Sequence, residues 1–298
     1  MDWIALTLFA ALFLGCYELF TKHAVNHNAV LPVLFFSTLC GAGVWLGLMA
    51  LQALHPGLLP HALVTDPISP REHLLLAVKS GIVGSSWIAT YFAMKHLPLS
   101  IASPVRATGP VWVFAGALVF LGERPTLIEM LGILITIASF VSLSLVGREE
   151  GISFHRNKWV LLLALGTALG VASSLYDKYL LGRLHFRTPT VQAWFSIYLA
   201  LFFLLPAIGW KRRWWPRNVF HWRWSIPCIA LALLLSDYLY FSALRNPVAL
   251  VALVSSLRRA STLVAFAGGL MFFKERNGLK KLPAVIGVMV GILLTVLG

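Results

Sequence analysis

The chain is a succession of long apolar runs, each broken by a short stretch of Pro, Gly, Asn or charged residues. A helix rising about 1.5 Å per residue needs roughly 20 apolar residues to cross the hydrocarbon of a bilayer. By that measure ten membrane helices are predicted: Trp3 to Thr21, Leu31 to Leu54, Glu72 to Lys95, Pro98 to Leu121, Pro125 to Val146, Trp159 to Leu180, Thr190 to Trp210, Trp224 to Leu244, Pro247 to Phe273 and Lys280 to Leu297. KHLP at Lys95 to Pro98 and RNP at Arg245 to Pro247 punctuate the third-to-fourth and eighth-to-ninth junctions. Proline restricts the residue before it and suits the first turn of a helix, so both read as turns.

The pattern is doubled. Val105 to Arg124, VRATGPVWVFAGALVFLGER, returns 152 residues later as LRRASTLVAFAGGLMFFKER, with eight of twenty positions identical. Tyr91-Phe92 answers Tyr240-Phe241, and Phe20-Thr21-Lys22 answers Tyr176-Asp177-Lys178. Five spans per half is an odd number, so the second half enters the membrane with the opposite orientation. The predicted fold is therefore an all-α membrane protein of ten transmembrane helices, arranged as two inverted five-helix repeats (1–147 and 148–298).

Composition agrees with this class: 59% of the 298 residues are hydrophobic and only 12% charged, with a mean hydropathy of +0.82. A soluble domain carries roughly 25% charged residues. The net charge of +13 could point to nucleic acid, but the cations gather in the breaks between apolar runs, where lipid headgroups meet them. KRRWWPRNVFHWR, from Lys211 to Arg223, interleaves cations with tryptophan and reads as an interfacial belt rather than a stacking platform for bases. Cys16, Cys40 and Cys228 have no metal-ligand or C-x-x-C spacing and read as packing residues. LGC at Leu14 to Cys16 faintly resembles a lipoprotein cleavage site, but no basic residue precedes it, so the segment is kept as a helix. Zinc, dyad or Ser-His chemistry would need motifs that the sequence does not offer, so neither an enzyme nor a cofactor is expected; an intramembrane enzyme stays the alternative reading, and a non-transporting membrane scaffold, which leaves the arginines within apolar runs unexplained, the third.

The chain resembles the EamA family of the drug/metabolite transporter superfamily. GERPTLIEMLGILITIASF from Gly122, KERNGLKKLPAVIGVMVGILL from Lys274 and the five-plus-five organisation carry the likeness. The resemblance implies a basket of two inverted repeats around a central cavity, with the first, third, fourth, sixth, eighth and ninth helices lining it and the termini in the cytoplasm. The charge count opposes that orientation: the breaks after odd-numbered spans hold fourteen Lys and Arg, which by the positive-inside rule would put both termini outside. The family topology is preferred here because it is tied to the fold. The resemblance also implies a multi-pass protein of the plasma (inner) membrane that exports metabolites by secondary active transport.

Charged residues inside apolar runs supply the candidate chemistry, because a charge at mid-bilayer depth costs at least about 2.5 kcal/mol. Arg106 and Arg258 occupy matching positions in the repeats, with Arg259 beside the second. Two guanidinium groups can clamp a carboxylate or phosphate by paired hydrogen bonds. Arg258 and Arg259 lie about 100° apart on a helix, so one of them is expected to have a structural partner. Glu18 and Asp237 are the acidic candidates for proton coupling, with permanent pairing to arginine as the alternative. Lys79 is either a third cavity cation or a snorkelling interfacial residue. Tyr17, Trp87, Tyr91, Tyr176 and Tyr240 could offer aromatic faces to a substrate or simply pack. Four deep cations against two acids favour an anionic or zwitterionic solute: an amino acid, organic acid or phosphorylated sugar. Pro104 and Pro110 bracket Arg106 and predict a kink, whereas the ninth span has SSLRRAS from Ser255 instead. Gly43/Gly47, Gly166/Gly170 and Gly287/Gly291 are predicted close-packing surfaces. Glu123/Arg124 and Glu275/Arg276 lie at span ends and are expected to cap helices there, with a gate latch as the alternative. The partners implied are a small-molecule substrate and membrane lipid, not nucleic acid, and a homodimer is left open.

Overall fold

A computed structural model of the chain describes residues 2–96, 105–106, 109–145, 157–214 and 219–261, with ten further positions between 264 and 297. Every regular element among them is helical. They are α1 (Trp3–Val25), α2 (Val30–Leu54), α3 (Pro70–His96), α4 (Gly109–Gly116), α5 (Leu127–Leu145), α6 (Lys158–Lys178), α7 (Thr188–Lys211), α8 (Ser225–Leu244) and α9 (Val251–Arg258). α1, α2, α3, α6 with its following turn, α7 and α8 are long and apolar enough to cross a membrane; the apolar stretches Gly109–Leu121 and Leu127–Ser139 are shorter. The protein is thus a multi-pass membrane helix bundle. Of the predicted tenth span only scattered helical positions are described, and Pro104, Glu275 and Arg276 lie outside the described residues.

Local chemistry explains where the helices start. Asp2 accepts a hydrogen bond from the Ile4 N–H at the head of α1. Ser69 and Glu72 form a reciprocal capping box on α3, at 2.6 Å and 3.4 Å, and Thr126 and Glu129 repeat it on α5, at 2.6 Å and 3.2 Å. Asn157 caps α6 through the Trp159 N–H. α4 and α6 both finish in π turns, Ala117–Leu121 and Tyr179–Arg183. The first of these closes on Gly122 at φ +69°, a left-handed conformation that glycine adopts without strain.

Two span boundaries differ from the sequence reading by four residues. α1 runs four residues beyond Thr21, because Lys22 to Val25 continue the helix before the turn at Asn26. The ninth span starts at Val251 rather than Pro247, since Pro247 sits in the turn, and its helix stops at Arg258. There the Arg259 and Ala260 N–H groups reach back three residues, to Ser256 and Leu257, instead of four. Such tightening marks a break in the helix ladder, and it falls at the paired arginines.

α1 packs on α8, α3 on α6 and α7, and α2 on α7 and α8; α4 leans on α6, and α9 on α1 and α4. Leu76, Phe203, Phe241, Leu244 and Leu253 fill the core between these helices. Gly166 lets α6 approach α3 so closely that an added Cβ would stand 2.5 Å from Thr90 Oγ1 and 3.1 Å from the Ser86 carbonyl. Gly287 and Gly291 lie equally tight against Ser139 and Thr136 of α5. Gly43 and Gly47 meet nothing within 4 Å, so the predicted packing role fails for that pair, whose helix face is exposed.

Candidate functional site

The charges buried in apolar helices fall into two groups. In the first, Lys79 of α3 points inward and forms an ion pair with Asp177 at the end of α6. Its ammonium also lies 4.3 Å from the Phe195 ring centre and 4.7 Å from that of Phe241. Only 1% of Lys79 is exposed, which rules out the snorkelling alternative: the acid and two aromatic faces satisfy the ammonium inside the bundle. Sequence reasoning missed Asp177. The signal was present, because Asp177 interrupts an apolar run just as Glu18 does, and a buried lysine demands a counter-charge.

Next to this pair, Arg258 donates to Asp237 at 2.5 Å and to the Ser236 hydroxyl at 3.3 Å, with its guanidinium carbon 4.1 Å from the centre of the Tyr240 ring. Ser236 in turn donates to the Ala10 carbonyl, joining α8 to α1. The Nε of Arg258 is buried and has no hydrogen-bond partner among the described residues.

The second group forms where α1, α3, α4 and α9 converge. Glu18 stands in the field of Arg106 most strongly, then of Arg259 and Arg258. Arg259 in turn feels Arg106 and Glu18, and its Nη2 reaches to 3.3 Å from the place a Cβ on Gly109 would occupy. The Tyr17 and Tyr91 hydroxyls lie 3.2 Å apart beside Glu18, and Trp87 links Tyr17 to Phe203 through ring contacts at 6.5 Å and 6.1 Å. Glu18, Arg106, Arg258, Arg259, Tyr17, Trp87 and Tyr91 all keep partial exposure, in contrast to Lys79.

The geometry therefore sorts the predicted residues. Arg258 is the arginine that has the structural partner, Asp237, while Arg106, Arg259 and Arg258 all bear electrostatically on Glu18. Tyr176 turns away, donating to the Leu75 carbonyl at 3.3 Å and stacking on Tyr179. Tyr240 is buried beneath Arg258. Counting Asp177, four deep cations face three acids among the described residues, a surplus of one where the sequence reading gave two.

A third arrangement joins the helix ends. Glu123, just past the π turn of α4, accepts from the Val251 N–H at 2.8 Å and the Ala252 N–H at 3.4 Å, capping α9. Lys178 donates to the carbonyls of Leu244, Asn246 and Ala249 in the α8–α9 turn. Arg183 donates to the Leu121 carbonyl at 3.0 Å. The capping role expected of Glu123 is what the structure shows, and its partner is a helix of the other half of the chain.

Comparison with known proteins bears on the whole bundle. The sequence model of the EamA-like transporter family matches residues 1–145. No curated protein matches the chain. A solved crystal structure with 16% identity covers 99% of this chain and 97% of its own length with a TM-score of 0.75, a likeness of fold alone.

Proposed function

We infer that this chain, which by its first 145 residues belongs to the EamA-like transporter family of the drug/metabolite transporter superfamily, carries a small anionic or zwitterionic metabolite across the membrane by alternating access. The observation that carries the reading is the gathering of Arg106, Arg259 and Arg258 around Glu18 beside two tyrosines, in partly exposed positions between helices of both halves. A surplus of one positive charge suits a solute whose anionic group engages Arg106 and Arg259. Glu18 would hold that pair in the empty site and exchange partners when the solute arrives, which makes it the first candidate for proton coupling.

Two inverted five-helix repeats, 1–147 and 148–298, are the proposed moving parts. Their support lies in the packing. The pairings of α1 with α8 and α3 with α6, of α2 with α8 and α3 with α7, and of α4 with α6 and α9 with α1 exchange with each other when each helix is replaced by the one five places along. Alternating access between related halves is the mechanism such an arrangement serves.

Counterflow in proteoliposomes with labelled amino acids, organic acids and sugar phosphates tests the reading. Flux of at least one of these solutes, reduced in Arg259→Ala and Glu18→Gln, is expected. No flux for any member of the panel, from protein that elutes as a single folded species, overturns it.

A further inference from the structure

The transport reading uses the arginines at one end of α9 and leaves unexplained the investment at the other. Glu123 caps α9 from across the repeat boundary with both carboxylate oxygens. The same turn is tied a second time by Lys178, from the end of α6, through three backbone carbonyls. Ordinary helix caps come from the residue next to the helix; this one comes from 128 residues away. Arg258 lies seven residues beyond Val251, about 10 Å along the axis. A cap that fixes the start of α9 therefore fixes the height of Arg258 and the approach of Arg259 to Glu18.

We propose that Glu123 is a positioning residue for the arginine site: its carboxylate, with Lys178, latches the α8–α9 turn to the ends of α4 and α6, and release of this latch lets α9 move and opens the bundle at that end. The proposal rests on the transport reading for its purpose, but the latch itself is a property of the empty protein. Glu123 is 8% exposed and its oxygens are the acceptors present for the first N–H groups of α9, so removing them leaves buried donors without partners.

The test is thiol accessibility in the full-length protein in lipid nanodiscs, with Cys16, Cys40 and Cys228 replaced by Ala and a reporter placed by Ser255→Cys. Ser255 is buried on α9, one turn short of Arg258. With Glu123 intact, a small hydrophilic maleimide reacts slowly. Glu123→Ala should raise the rate about five- to tenfold, the scale of a lost cap. Glu123→Gln, which keeps an acceptor oxygen at the same reach, should stay within about twofold of wild type on the same scale. An unchanged rate in Glu123→Ala, or a rate in Glu123→Gln as fast as in Glu123→Ala, overturns the proposal. If Glu123→Ala does not fold, Glu123→Asp takes its place: one methylene shorter, it should react faster than wild type, and an equal rate overturns the latch. No solute enters this experiment, so its outcome is independent of the flux panel, and a missing flux would remove the transport reading without touching it.

Discussion

Lys79 and Glu18 are each a lone charge in an apolar helix, and the bundle treats them in opposite ways. Lys79 is sealed with one acid and two phenylalanine faces, with no surface left to trade. Glu18 is surrounded by more positive charge than it can neutralise and stays partly exposed. A sealed one-to-one pair locks helices together, whereas an over-subscribed acid leaves room for a second anion. Under the proposed transport function, the difference distinguishes a charge that holds helices together from one that meets the solute.

The strongest way to break the contrast is to strip Lys79. Lys79→Met leaves Asp177 buried and uncompensated, which should cost about 3–5 kcal/mol in unfolding free energy, while adding Asp177→Leu should recover most of that loss. Tryptophan-fluorescence melting in detergent reads both, and a Lys79→Met protein as stable as wild type would show that the pair is not sealed. Next comes the seam that delivers Asp177 to Lys79. Gly166→Ala should force α6 away from Ser86 and Thr90 and cost about 1–3 kcal/mol, whereas Gly43→Ala, which faces open space, should lie within about 0.5 kcal/mol of wild type. Equal melting shifts for the two would remove the distinction.

The other arm of the contrast predicts function lost with stability kept. Glu18→Gln and Arg259→Ala should each lower flux at least tenfold, about 1.4 kcal/mol of binding, while their melting curves stay close to wild type. The smallest expected effect belongs to Glu123. Burial pushes its carboxyl above the ordinary glutamate range, against the pull of the Val251 and Ala252 N–H groups and Lys178; Arg183 is tied to the Leu121 carbonyl, and Arg124, next in the chain, is exposed. A group whose pKa is higher when buried binds its proton more tightly in the closed form, so closure strengthens as pH falls and weakens as pH rises through that raised value. The ratio of Ser255→Cys labelling in wild type to that in Glu123→Gln should therefore fall as pH is lowered toward the ordinary glutamate range. A flat ratio would show that the buried carboxyl is not linked to closure.

Much of this was legible beforehand. Apolar run length located the six long helices, and turn residues bounded them to within a few positions, because burial in lipid leaves the backbone few alternatives. Depth along a run also picked out Arg106, Arg258, Arg259, Glu18, Asp237 and Lys79. Sequence could not say which charge meets which. Arg258 and Arg259 are neighbours in the chain, and only the rotation of α9 against α8 decides that Arg258 is the one that meets Asp237. Asp177 escaped because it was read as one letter of a repeated triplet rather than as a buried acid. The span of Glu123 to Val251 crosses the two halves of the chain, a distance that no local pattern records.

The interruption of α9 at Arg259 and Ala260 gives the ninth span a fulcrum. A continuous rod would have to carry every residue after Ser261 along with any displacement at Val251. Broken there, the segment bearing Arg258 is a short lever whose displacement need not be passed on along the helix ladder past Ala260.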